Sequence, residues 1–228
     1  MFDFIVRAVF PTNHAQAVEA YFSGGGDCAQ RLAALCHELL QTAPKTILEF
    51  ASGYGRVCRH AKHVLPATLW TSSDVHPHAV SFNTKKLGID SFVSPASPEG
   101  WVVNRRYEVV FALSFFSHMP DATFGPWLER LFNSVEQNGI LIFTTHGEIS
   151  LRNMRAGGLD PLANFNEKGC YWNTNSDQRD LDSTDYGTSA VTLHYVQRAL
   201  EALPEAELIR FQQAFWWAHQ DLYVVRKR

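Results

Sequence analysis

Apolar and polar positions follow two rhythms along the chain. Short strand-like runs occur at residues 46–50, 68–74, 89–93, 107–113 and 140–145, and 107–113 is nearly continuous in apolar character. Runs of that length with apolar residues at successive positions read as strands buried on both faces. Between them, apolar residues recur at helical spacing over 57–65, over 77–87 after Pro77, and from Asp121 through Trp127, Leu128, Leu131, Phe132 and Val135. Gly88 ends the second of these helices, and Asn138-Gly139 ends the third. Strand and helix therefore alternate through the middle of the chain, the pattern of an α/β domain with a parallel sheet.

The flanks differ. Residues 15–22 read as a short helix stopped by Ser23-Gly24-Gly25-Gly26-Asp27, with Asp27 capping a second helix over 28–43. That helix carries Leu32, Leu35, Cys36, Leu39 and Leu40 on one face and stops before Pro44. Residues 148–190 break the alternation and are rich in Asn, Asp, Gly and Ser, including Gly157-Gly158. So long a connection in a compact domain is functional or disordered, and Phe165, Tyr171 and Trp172 speak against disorder. The segment is expected to be a lid over an acceptor. A helix over 188–203 and strands over 207–214 and 222–226 complete the chain.

Composition adds limits. A chain of 228 residues with 46% hydrophobic content fits one domain with a sizeable core. Residues 1–43 then form a helical cap and 148–190 an insertion between strands five and six. The formal charge of −3 gives no reason to expect nucleic acid or an anionic membrane as partner. No stretch is long and apolar enough for a membrane span, and the early acid Asp3 argues against a signal peptide. The four cysteines form no C-x-x-C and read as buried free thiols, in keeping with a cytoplasmic location. The ten histidines fall into no metal spacing, so no metal is expected.

The chain is organised around Glu49-Phe50-Ala51-Ser52-Gly53-Tyr54-Gly55-Arg56, where a strand breaks at two glycines and runs into a helix. Glycines there permit positive φ and a close approach of main chain to a ligand. The dinucleotide fingerprint needs a third glycine at 58, where Cys58 stands, and no G-K-[ST] follows for a P-loop. The stretch resembles motif I of class I S-adenosylmethionine-dependent methyltransferases, acid-x-x-x-Gly-x-Gly. Together with Leu113-Ser114-Phe115-Phe116-Ser117-His118-Met119-Pro120, Thr144-Thr145-His146-Gly147 and Gln220-Asp221, it is similar to a bacterial methyltransferase-domain branch found among glycan or secondary-metabolite genes.

The resemblance implies a three-layer Rossmann-like fold with a seven-stranded mixed sheet whose last strand is antiparallel. It implies S-adenosylmethionine as cofactor, with Glu49, Ala51, Gly53, Gly55 and Arg56 on the methionine part. Asp74 and Val75 would follow at the ribose, Ala96 and Ser97 at adenine, and Leu113 and Ser114 along the remaining wall. Asp74 has a second reading as the cap of the helix that begins at Pro77. Arg56 either pairs with Glu49 or a neighbouring acid or is a solvated charge. The N-terminal helices commonly cover this pocket, which would bring Tyr21-Phe22-Ser23-Gly24 to the ligand or leave them as a hinge.

Two histidines stand just beyond strand ends, His118 after the fourth and His146 after the fifth. Histidine suits general-base work near neutral pH, so both are candidate catalytic groups. His219 reads as structural, and His60, His63, His76 and His78 as surface residues. Asp185, Tyr186, Gln220 and Asp221 are candidates for the acceptor side. The expected activity is methyl transfer to oxygen or nitrogen of a small molecule or saccharide, with a homodimer as a possible assembly. A non-catalytic cofactor-binding subunit and an NAD-type oxidoreductase are the alternatives.

Overall fold

A computed structural model describes residues 12–154, 165–174, 176 and 181–228. The N-terminal stretch read against a signal peptide, and Gly157-Gly158 of the expected lid, lie outside the described residues. Seven strands form a mixed sheet in the order β3-β2-β1-β4-β5-β9-β8. These are β1 (Thr46–Phe50), β2 (Leu69–Asp74), β3 (Asp90–Val93), β4 (Tyr107–Ala112), β5 (Val135–His146), β8 (Ala206–Trp216) and β9 (Gln220–Lys227). β9 runs antiparallel to both β5 and β8, as the resemblance implies. By contacts the chain divides into two compact units, the first ending at Ser94 and the second spanning Pro95–Arg228.

In the first unit, helix α1 spans His14–Leu40 without interruption. The expected stop at Gly24-Gly25-Gly26 and the cap at Asp27 are therefore wrong. Asp27 instead pairs with Arg31 one turn on, at 2.8 Å. Three glycines inside a helix each cost about 1 kcal/mol against alanine, and close approach explains the first two. A Cβ on Gly25 would lie 2.0 Å from the Arg56 carbonyl oxygen, and one on Gly24 would lie 2.5 Å from the Arg56 guanidinium. The glycine face of α1 is the groove that receives the turn after β1. Helix α1 begins at Asn13, whose side chain accepts from the Gln16 amide, and ends at Gln41 in the left-handed conformation.

After β1, a 3-10 turn (Cys58–His60) leads into the single turn α2 (Ala61–Val64). Helix α3 (Pro77–Phe82) continues as a π turn through Asn83–Leu87 and stops at Gly88, at φ +65°. Parallel pairing sets Glu49 opposite Ser72 and Phe50 opposite Ser73, which brings the ends of β1 and β2 side by side.

In the second unit, helix α4 (Asp121–Asn133) ends earlier than its apolar spacing indicates, and Val135 already belongs to β5. Asn138 at φ +65° kinks the strand there, and Gly139 is required because a Cβ would meet the Glu108 carbonyl at 2.6 Å. The expected helix over 188–203 is also corrected. Its first residues form β7 (Thr188–Val191), paired antiparallel with β6 (Cys170–Asn173). Thr192 then caps α6 (Leu193–Glu201) by accepting from the Tyr195 amide. Helix α5 (Glu148–Met154) follows β5. The core of this unit is ring-rich: Phe116 touches Phe124 and Phe143, with centroids at 4.8 and 5.0 Å, and Phe143 stacks on Tyr223 at 5.0 Å. All four cysteines are buried and free. Among the described residues no helix is long and apolar enough to cross a membrane, and no cluster of side chains could hold a metal.

Candidate active site

The turn after β1 is a built structure in its own right. Ala51, Gly53 and Gly55 all take positive φ, at +57°, +54° and +70°. The Asp74 carboxylate holds the turn by accepting from the Gly53 amide at 2.7 Å. Its other oxygen accepts from the His76 amide at 2.9 Å and meets His76 Nδ1 at 2.8 Å. Its two oxygens face different ways, one toward the turn and one toward His76, the residue before α3. His76, expected at the surface, is half-buried against this carboxylate; His60 is half-buried, and His63 and His78 are exposed.

Asn83 escaped the sequence reading. It is fully buried, and its Nδ2 donates to the Gly53 carbonyl at 3.0 Å and approaches the Ser52 and Ser72 hydroxyls at 3.3 Å each. It ties α3 to the turn. Nothing along the sequence sets it apart, since its helix reads as ordinary.

Arg56 turns toward α1, where its Nε donates to the Tyr21 carbonyl at 3.3 Å and its guanidinium lies 5.7 Å from the Tyr21 ring. Glu49 is buried at 3% exposure and accepts from the Trp70 indole at 3.3 Å. Burial pushes its carboxyl up to about 8, against hydrogen bonds from Trp70 and Cys58 that pull it down. Cys58, in the place of a third glycine, thus contributes to the Glu49 environment.

The raised acid has a measurable consequence. Between its usual value of 4.5 and about 8, the folded chain keeps a proton that the unfolded chain loses. Stability from this group is therefore full below 4.5 and falls as pH rises toward about 8. Asp221, raised by burial to about 6, and His146, lowered by burial to about 3, act mainly below about pH 6.5. Urea unfolding from about pH 6.5 to 8 is expected to lose about 2 kcal/mol in the wild type, and Glu49→Gln is expected to flatten that slope.

In the second unit, the loop after β4 begins with half-buried Leu113 and with Ser114 at φ +60°. The Ser114 amide donates to Thr144 Oγ1 at 2.8 Å, and both hydroxyls bond the buried Gln220 side chain. Gln220 is thus engaged in fixing strand ends. Asp221 is buried and accepts from the Ala214 amide at 2.8 Å, while Asp185 is exposed. Ala96 and Ser97 are exposed, and Val75 is half-buried.

The loop and β7 are joined by backbone bonds from Gly187 to the His118 carbonyl at 3.1 Å and from Ser189 to the Ser117 carbonyl at 2.9 Å. This pairing carries His118 and His146 to one place. His118 Nδ1 lies 2.7 Å from the Gly187 carbonyl, His146 Nδ1 lies 3.2 Å from the Ser189 carbonyl, and the two rings are 6.1 Å apart. A carbonyl only accepts, so each Nδ1 carries the proton and each Nε2 keeps its lone pair. His219, expected to be structural, joins them with its ring 5.7 Å from His146. The Tyr186 ring stacks on His118 at 4.6 Å.

The profile of the methyltransferase-domain family matches residues 26–186. The chain belongs to that family. No curated protein sequence matches it. Among solved structures, this methyltransferase-domain chain is similar to an S-adenosylmethionine-dependent methyltransferase from Clostridium acetobutylicum. The two are 11% identical, with a TM-score of 0.64 over 99% of this chain and 96% of that one. It is similar to magnesium protoporphyrin IX methyltransferase from Synechocystis, solved with S-adenosylhomocysteine: 12% identity, TM-score 0.64, covering 100% and 94%. It is also similar to a plantazolicin methyltransferase solved with the same product: 12% identity, TM-score 0.63, covering 100% and 95%. These likenesses agree in fold with the family assignment.

The turn after β1 leaves main chain open. A Cβ built on Gly53 would meet nothing within 4 Å, so the backbone there is bare. Beside it are a buried carboxyl, Glu49, and Asp74, one of whose oxygens braces the turn through the Gly53 amide while the other bonds His76.

Proposed function

We propose that the chain is an S-adenosylmethionine-dependent methyltransferase acting on oxygen or nitrogen of a small molecule. The observation that carries this reading is the bare, positive-φ Gly53, held by Asp74 through its amide and flanked by buried Glu49. When bound, S-adenosylmethionine supplies a methyl group on a sulfonium, open to in-line displacement by a nucleophile. Glu49, Ala51, Gly53, Gly55 and Arg56 serve the methionine end, Asp74 and Val75 the ribose, Ala96 and Ser97 the adenine, and Leu113 and Ser114 the remaining wall. The Tyr21–Gly24 part of α1 shapes this turn through Arg56, and the described residues of 148–190 serve as the acceptor-side lid.

His118 and His146 divide the acid–base work. Burial and the neighbouring imidazoles hold His146 neutral, at about 3, so it accepts a hydrogen bond and is a poor base. His118 is half-exposed and is held by Gly187, with Nε2 as its basic atom. It takes the proton that an acceptor hydroxyl or ammonium must lose. Calorimetry with S-adenosylmethionine, its demethylated product and NAD tests the cofactor. Binding of the first two and not NAD is expected; heat with NAD alone would return the oxidoreductase reading. Once an acceptor is in hand, His118→Gln is expected to lower kcat by about 100-fold with product affinity unchanged. Unchanged kcat would remove His118 from the chemistry, and no turnover with any acceptor would leave a binding subunit.

A further inference from the structure

The imidazoles of the second unit belong to a longer row. Tyr186 stacks on His118 with planes 14° apart. His118 meets His146 edge-on at 6.1 Å, and His146 meets His219 at 5.7 Å. His219 in turn lies nearly parallel to Trp217, with centroids 6.3 Å apart. These rings come from the loop after β4, the end of β5, the residues before β7 and the β8–β9 turn. Four of the five are half-buried, and His146 is 7% exposed. A row of partly open rings drawn from separate segments is a surface for a flat partner.

Hydrogen-bond chemistry narrows that partner. The Ser150 hydroxyl donates to the His219 carbonyl, so its oxygen accepts at 3.2 Å from His219 Nδ1. His146 and His219 therefore carry their protons on Nδ1, with Nε2 as the acceptor atom of each. Their complement is an O–H or N–H donor. Among the described residues, His146 is shifted by burial and by the imidazoles of His118 and His219, and His219 by burial. The Asp221 carboxyl stands against Gly147 beside His146, and Asp185 directly precedes Tyr186, so these charges disfavour an anion.

The β8–β9 turn places the last two rings of the row. Trp217 and Ala218 both sit at positive φ, +51° and +56°, closed by the His219 amide on the Trp216 carbonyl at 3.1 Å. This geometry favours Asn and Gly, and a bulky residue is strained in it. The closed turn sets Trp217 and His219 at the end of the row.

We propose that Tyr186, His118, His146, His219 and Trp217 form the acceptor platform, and that it takes an uncharged, flat aromatic ring bearing a hydroxyl or N–H donor. The proposal rests on the methyltransferase reading for the word acceptor, and on the rings alone for the ligand class. Equilibrium dialysis of the full chain, with and without S-adenosylhomocysteine, tests it with four probes: 2-naphthol, 2-methoxynaphthalene, 2-naphthoate and methyl glucoside. The phenol is expected to bind at least about 10-fold more tightly than each of the others. Tyr186→Leu and Trp217→Ala are each expected to weaken it about 10-fold while S-adenosylhomocysteine affinity stays within about twofold. Equal binding of the glucoside or the naphthoate overturns the proposal, as does unchanged phenol binding in Tyr186→Leu, which keeps the turn intact. Loss of S-adenosylhomocysteine binding in the wild type would instead overturn the methyltransferase reading, and the phenol measurement without it would still judge the platform.

Discussion

Gly25→Ala is expected to lower stability by about 3 kcal/mol, while Gly26→Ala, one residue on, raises it. The two positions share a helix and differ in what lies beyond them. A Cβ at Gly25 would stand 2.0 Å from the Arg56 carbonyl, a backbone atom that cannot step aside. A Cβ at Gly26 would stand 3.6 Å from the His60 ring, an ordinary contact. Helix propensity favours alanine by about 1 kcal/mol at both, so at Gly25 the clash outweighs the gain and at Gly26 the gain remains. Thermal melts should separate the variants, with Gly25→Ala roughly 5–10 °C below wild type and Gly26→Ala a few degrees above. Gly25→Ala should also loosen cofactor binding, because Arg56 continues directly from Gly55. Equal melting points would mean that α1 does not rest on the turn.

Those glycines also show where sequence legibility stops. A run of three glycines reads as a break, because their cost to a helix is local and visible. The close approach that repays it depends on Arg56, some thirty residues away, and no local pattern encodes that. The strand–turn–helix at Glu49 to Arg56 was legible because an apolar run and paired glycines lie next to each other. The central strands were legible because burial on both faces leaves continuous apolar runs. Residues 188–191, Thr-Ser-Ala-Val, were misread because so short a stretch suits either period, and only pairing with β6 decides. His118 and His146 were marked by following strand ends. His219 and Trp217 were not, since a ring row assembled from four segments has no signature along the chain. Nor could Asn83 be weighted from sequence, because its worth lies in holding the Gly53 carbonyl from a helix that reads as ordinary.

Asp74→Ala is expected to weaken S-adenosylhomocysteine binding by at least about 100-fold, and Asp74→Asn nearly as much. The carboxylate accepts on both sides, from the Gly53 amide at 2.7 Å and from the His76 amide at 2.9 Å. Asparagine has one acceptor oxygen, so its NH₂ must face one of those two N–H donors. It keeps the shape and loses the function, which separates charge and acceptor count from simple packing. Each lost charge-assisted hydrogen bond is worth about 1.5–3 kcal/mol, and ribose hydroxyls would lose their acceptor as well. A carboxylate that merely caps α3 behaves differently: both variants would melt about 1 kcal/mol less stably and bind the product as wild type does. Calorimetry and a melt on the same samples distinguish the two. A falling melting point with unchanged affinity would reduce Asp74 to the cap of α3 and leave the Gly53 turn without its proposed ribose partner.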